Sequence, residues 1–192
     1  MKALIFDGQM EPTGALDRGI QALSSRLEAQ DWRVEKVRLR DLKVAPCTGC
    51  FKCWTRTPGV CQQDDDARSL TSKLAQTGLL VLVTPISFGG YGSLLKRALE
   101  RAILPFLLPF FTQVDGEVHH PLRYGRALKL GAIGGLPRSH PESEGTFLEI
   151  LNRNALNFHS TVKGGIVLYD QMTDKDLAAQ VGALAGLLGS PQ

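Results

Sequence analysis

Apolar and polar positions along this chain repeat with two periods. KALIF, Lys2 to Phe6, is a short apolar run closed by Asp7 and Gly8, which predicts a buried first strand. From Ala15 to Ala29 the residues Leu16, Ile20, Leu23 and Leu27 recur at helical spacing and share one face. Trp32 to Leu39 alternates as a second strand. Leu79 to Pro85 is continuously apolar and rich in β-branched residues, the pattern of a central strand covered on both faces of a parallel sheet. Ser93 to Ile103 predicts a helix with Ser93 as its N-cap, and Ala127 to Gly135 a fourth strand. Glu142 to Leu156 predicts a helix, Lys163 to Asp170 a fifth strand, and Thr173 to Leu188 a closing helix capped by Thr173 or Asp174. One more helix is expected around Leu70 and Leu74, where Asp64, Asp65 and Asp66 precede it and favour a helix N-terminus. A long excursion, PFLLPFF and then QVDGEVHHPLRYGR, separates the third and fourth strands.

Strands regularly separated by helices form a parallel sheet covered on both faces. The expected fold is therefore an α/β protein: a three-layer α/β/α flavodoxin-like sandwich with a five-stranded parallel sheet, one domain over residues 1–192. No internal repeat, low-complexity segment or domain boundary interrupts it. In open sheets of this type ligands bind beyond the carboxyl ends of the strands, where strand order reverses. The loops DGQMEPTG, PISFGGYG and GGLPRSH, after strands one, three and four, should line that crevice.

The chain is 43% hydrophobic with a formal net charge of +3, and Lys and Arg are interspersed with Asp and Glu. That balance argues against a nucleic-acid partner. The first apolar run is too short for a secretory signal, and no stretch approaches the roughly 18 apolar residues of a membrane span. The expectation is a cytoplasmic protein with no membrane partner. There is no Ser-His-Asp order, no Walker G-x4-G-K-[ST] and no H-E-x2-H helix, so hydrolase and phosphotransferase chemistry lack support.

All four cysteines, Cys47, Cys50, Cys53 and Cys61, lie in the stretch CTGCFKCWTRTPGVC. In a reducing compartment such a cluster points to metal ligation or thiol redox more than to disulfides. Four thiolates suit a tetrahedral zinc, although structural zinc usually takes two separated C-x2-C knuckles. An oligomer contact is also open, and Trp54 and Pro58 are expected to pack. His119 and His120 are adjacent and point apart on extended backbone, so they do not chelate one ion as a pair. Joining Cys61 or Glu117 at a metal is the less favoured role for either.

TPISFGGYGSLLKRALER, Thr84 to Arg101, resembles the segment after the third strand in the NADPH-dependent FMN reductases and iron-sulfur flavoproteins of the flavodoxin-like superfamily. The resemblance implies that this loop wraps the flavin ring of FMN, with Pro85, Ile86, Ser87, Phe88, Gly89, Gly90 and Tyr91 as contacts. Small residues there allow close backbone approach, and Phe88 and Tyr91 offer aromatic faces. The run C-x2-C-x2-C-x7-C followed by Asp64 and Asp65 resembles the cluster motif of the iron-sulfur flavoproteins, which implies a [4Fe-4S] cluster held by Cys47, Cys50, Cys53 and Cys61. The first loop departs from the family pattern. Gln9 stands where a phosphate-binding Ser belongs and Glu11 lies near the Arg position, which leaves Gly8, Thr13 and Gly14 as phosphate donors. Gly134, Gly135, Leu136 and Pro137 should reach the flavin's pyrimidine side, and Arg138, Ser139 and His140 a phosphate or a nicotinamide donor.

The function implied is an FMN-dependent oxidoreductase taking electrons from NAD(P)H and passing them to a quinone or other acceptor. An iron-sulfur electron carrier and a flavin-free binding or assembly module are its rivals. Partners would be a small-molecule or redox-protein acceptor and further copies of the chain, as a homodimer or homotetramer, with LPFLLPFF at the subunit contact.

Overall fold

The structure, a computed structural model, describes residues 1–12, 14–160 and 162–189. Five parallel strands form the main sheet: β1 (Lys2–Asp7), β2 (Arg33–Arg38), β3 (Leu79–Ser87), β7 (Lys129–Leu136) and β8 (Lys163–Tyr169), in the order β2-β1-β3-β7-β8. This is the flavodoxin-like order, and it reverses between β1 and β3.

Strand periodicity divides the core into two layers. Alternate residues of β1 point to opposite faces. Leu4 and Phe6 join Leu80 and Leu82 of β3 beneath α3 (Ala67–Ala75), α4 (Ser93–Phe106) and α5 (Pro141–Asn157). Ala3 and Ile5 join Leu79, Val81 and Val83 beneath α1 (Gly14–Glu28) and α6 (Asp174–Gly189). Four consecutive β1 residues, Ala3 to Phe6, are therefore fully buried, as the unbroken apolar run requires.

Several local expectations are corrected. Strand β3 runs on to Ser87 because its end folds back on the two-residue strand β4 (Gly90–Tyr91), antiparallel through Ile86↔Tyr91 and Ser87↔Gly90. Ser93 is the first residue of α4. The N-cap is Gly92, whose amide donates to Thr84 Oγ1 at 2.9 Å. Helix α4 passes Ile103 and contains Pro105 in its last turn, where the ring, having no N–H, forgoes one bond to the carbonyl four residues back. Thr173, not Asp174, caps α6, its Oγ1 accepting from the Asp176 amide at 3.2 Å. The excursion contains the hairpin β5 (Thr112–Val114) and β6 (Glu117–His119), and the cysteine loop contains one helical turn, α2 (Lys52–Thr55).

Candidate functional site

At the carboxyl end of the sheet, β3 and β7 lie in register, with Thr84 opposite Gly134 and Pro85 opposite Gly135. Beside them opens a cleft of about 400 Å³ lined by Gln9, Met10, Glu11, Ala15, Leu16, Pro85, Gly135, Leu136, Pro137 and Asp170. Its size and mixed lining suit a ligand with one flat apolar body.

Of the residues expected on the third-strand loop, Pro85 lines this cleft, and Ser87 and Phe88 stand exposed at the turn. Phe88 is fully exposed and adopts φ +49°, an uncommon conformation for a bulky residue. The others also serve the packing around the turn. The Ile86 side chain packs over Gly134, where a Cβ would meet its Cδ1 at 2.6 Å. Gly89 takes φ +79° in the β3–β4 turn, and a Cβ on it would come within 2.7 Å of Thr146 on α5, so this glycine serves the turn and the helix packing. Gly90 completes the turn. Tyr91 turns its ring edge-on into Phe147 and accepts from Asn154 Nδ2 at 3.2 Å. Burial pushes its phenol up to about 12, so the hydroxyl stays neutral. Gly134 is buried under Ile86 and Phe147, whereas Gly135 lines the cleft, with Leu16 closing over it.

Of the phosphate donors expected on the first loop, Gly8 is already engaged. The Gly8 amide donates to Val83 O at 2.8 Å, and a Cβ there would lie 2.9 Å from both Val83 O and Leu95 Cβ. The Gln9 amide and its Nε2 both donate to Asp7 Oδ1 at 3.1 Å, which turns Gln9 inward. Arg40 pairs with Asp7 Oδ2 at 2.9 Å. Gly14 opens α1 at φ +67°, and Asp170 Oδ1 lies 2.8 Å from the place a Cβ would occupy. Thr13 lies outside the described residues. The third loop is similarly committed: Ser139 Oγ and the His140 amide donate to Glu144 Oε1 at 2.9 and 2.7 Å, leaving Arg138 as the exposed cation of that loop.

Leu136 and Pro137 line the cleft with Gly135, as the third-loop expectation had it, whereas Asp170 was missed. One signal was available, since Asp170 stands just beyond the carboxyl end of β8 on the ligand-binding edge.

The four cysteines converge on a second cavity, closed by Glu100, Arg101, Leu104 and Pro105 of α4. Arg101 is 1% exposed and holds the loop together. It grips Asp65 with both terminal nitrogens at 2.8 Å, donates to Ala45 O at 2.7 Å and reaches Cys61 Sγ at 3.3 Å. Asp65 also accepts from the Ala45 and Ala67 amides, and Asp66 from the Lys43 amide. The acidic run thus fastens the loop as much as it starts α3. Burial raises the Asp65 carboxyl, but the hydrogen bonds from Arg101 and the amides outweigh it and hold the group below its ordinary range.

Burial, reinforced by the neighbouring sulfurs, pushes the Cys53 thiol up, whereas the Lys52 amide lowers that of exposed Cys50. The cavity measures about 20 Å³, room for one water. Among the described residues no group of three or more His, Cys, Asp or Glu is set to hold a metal ion. Trp54 docks on α4 by donating to Leu104 O at 2.6 Å. His119 Nδ1 meets Asn157 Oδ1 at 3.1 Å and His120 Nδ1 meets Phe110 O at 2.8 Å, so both rings serve local hydrogen bonds.

Comparison with known proteins agrees with this geometry. The model of the NADPH-dependent FMN reductase family matches residues 1–135. The iron-sulfur flavoprotein MJ1083 of Methanocaldococcus jannaschii is 26% identical over 102 residues, 53% of this chain and 52% of that protein. An iron-sulfur flavoprotein of Archaeoglobus fulgidus is 28% identical over 106 residues, 55% of this chain and 47% of that one. The chain thus spans about half the length of the curated relatives it matches. Among solved structures, the NAD(P)H:quinone oxidoreductase of Methanothermobacter marburgensis superposes with a TM-score of 0.70 at 12% identity, covering 98% of this chain and 97% of that one. The FMN-dependent NADH-azoreductase of Bacillus anthracis in complex with FMN gives 0.67 at 10% identity, covering 98% and 99%. At such identities the superpositions show the shared fold.

Proposed function

The chain belongs to the NADPH-dependent FMN reductase family, and from that premise we propose that it is a flavin-dependent oxidoreductase taking electrons from NAD(P)H. FMN is the flavin assigned to it, and a quinone or similar small acceptor completes the reaction. The observation that carries this reading is the cleft of about 400 Å³ at the reversal of strand order, where Pro85 and Gly135 stand side by side. Pro85, Ser87, Phe88, Gly90 and Gly135 are the residues assigned to hold the ring. Bound flavin supplies the redox chemistry, and the chain's residues supply orientation and exclusion of water. The nicotinamide donor is assigned to the adjoining groove of about 580 Å³, which shares Pro137 with the cleft and carries Arg138.

Both core layers share one sheet, which favours a single domain. No helix among the described residues is long and apolar enough to cross a membrane. Exposed Phe110, Phe111 and Val118 suit a contact between copies in a homo-oligomer. A cytoplasmic location accords with the clustered free thiols.

The test is anaerobic purification followed by a visible spectrum, a flavin assay and NADPH oxidation with a quinone as acceptor. Yellow protein that oxidises NADPH is expected. Failure to take up any flavin on reconstitution overturns the reading and favours a binding module.

A second reading, an iron-sulfur electron carrier, draws on the convergence of Cys47, Cys50, Cys53 and Cys61 on one cavity. As closed, that cavity does not fit a cluster, so loading requires the loop to open. Iron and sulfide assays on the same sample decide it, and four titratable thiols without iron exclude it.

A further inference from the structure

We propose that the cavity between α4 and α5 is a second binding site, for a small neutral ring whose edge presents a carbonyl, an N–H and a second carbonyl, as the imide edge of a pyrimidine does. The cavity measures about 350 Å³ and lies under the helices that cover the face of the sheet away from α1. The inference therefore stands whether or not the cleft holds flavin. Leu99 and Ile103 of α4 and Ile150 of α5 give it apolar walls, and Tyr91 of β4 closes one end.

Three polar side chains line the same cavity, and their partners among the described residues fix which atoms stay open. Asn154 Nδ2 donates to the Tyr91 hydroxyl at 3.2 Å and to Ile150 O at 3.0 Å, which spends both its hydrogens and leaves Oδ1 as an open acceptor. His119 Nδ1 donates to Asn157 Oδ1 at 3.1 Å, which fixes that amide and leaves its Nδ2 as an open donor. Neither open amide atom is sealed in the packing. The Tyr91 oxygen accepts from Asn154, while no described residue accepts its proton. Burial keeps this phenol neutral, so the proton remains available to a ligand.

Along the wall these atoms run donor, acceptor, donor. The Tyr91 hydroxyl adjoins Asn154, and Asn157 follows three residues on, along the same face of α5. An imide edge, which runs acceptor, donor, acceptor, is the complement of that order. Leu99, Ile103 and Ile150 then cover the faces of the ring, and the volume stands at the lower end of the range for ligand cavities, which suits one or two rings. Charge points the same way. Lys96 and Glu100 also line the cavity, but they pair with each other on its exposed side, so neither calls for a counter-ion and the ligand that fits is uncharged.

The experiment records amide proton–nitrogen NMR spectra of the complete, isotope-labelled chain during titration with thymine, and again with N3-methylthymine, which lacks the imide N–H. Saturable shifts at the Asn157 side-chain amide and at Ile103 and Ile150 are expected with thymine, with a Kd of about 1 mM as suits so small a ligand. N3-methylthymine should bind at least about fivefold more weakly, because it leaves the Asn154 oxygen unpaired. Tyr91→Phe and Asn154→Leu should each weaken thymine by about five- to tenfold in chains that still melt cooperatively. Absence of shifts at these residues, shifts confined to other parts of the chain, or equal binding of the two thymines overturns the proposal. Unchanged affinity in both variants overturns it as well, and the comparison of the two ligands on the wild-type chain decides the matter where a variant fails to fold.

Discussion

At the scale of single residues, Arg101 shows how one side chain can organise a loop. Its position at the end of the ALER segment suggested only a family signature. In the folded chain it is the largest fully buried side chain, and its guanidinium ties Ala45, Cys61 and Asp65 to α4. Removing one partner of such a pair strands the other charge in an apolar site, at a cost of about 3–5 kcal/mol. Asp65→Asn should accordingly lower the Tm by roughly 6–20 °C in a thermal melt. The pH dependence follows from the depressed carboxyl of Asp65. As pH falls, the unfolded chain takes up this proton before the folded chain does. The pair's contribution is therefore complete above about pH 4 and is lost as pH drops through the folded pKa. Melts between about pH 6 and about pH 3 should show a steep acid limb in the wild type and a shallower one in Asp65→Asn; parallel limbs would contradict the assignment.

Among the elements, the short β3–β4 hairpin shapes the cleft wall. It was invisible to periodicity because two residues carry no period. The sequence did show its two glycines, and the structure separates their roles. Gly89 takes φ +79° and faces Thr146, whereas a Cβ on Gly90 meets only Ser87 O at 3.4 Å. Gly89→Ala should cost about 1–3 kcal/mol through backbone strain and the contact with α5. That corresponds to a Tm lowered by roughly 2–12 °C, with Gly90→Ala milder in the same melt. The β5–β6 hairpin escaped notice for the same reason, being two strands of three residues within a stretch that reads as loop. Long elements were legible because burial imposes a repeat on them. The ends of α4 and α6 were less so, since capping depends on which neighbour reaches a free amide.

The whole molecule presents a two-layered core that reaches the cleft only at its edge, through Ala15, Leu16 and Leu136, so the fold should stand without its ligand and gain stability with it. Flavin at about 100 times its Kd should add about 2.7 kcal/mol and raise the Tm by roughly 5–11 °C. A melt with and without FMN checks this, and an unshifted Tm argues against binding. By itself the sequence determined the alternation of strand and helix, the parallel sheet, the edge where ligand binds and the clustering of the thiols. Each of these is written in local hydrophobic period or in residue spacing. Only the tertiary structure decided that Gly8 spends its amide on β3, that Tyr91 and Gly134 face the core, that Arg101 closes the cysteine loop, and that Asp170 stands over the first turn of α1. The physical reason is that a donor's availability depends on contacts between residues far apart in the chain, which no local pattern encodes.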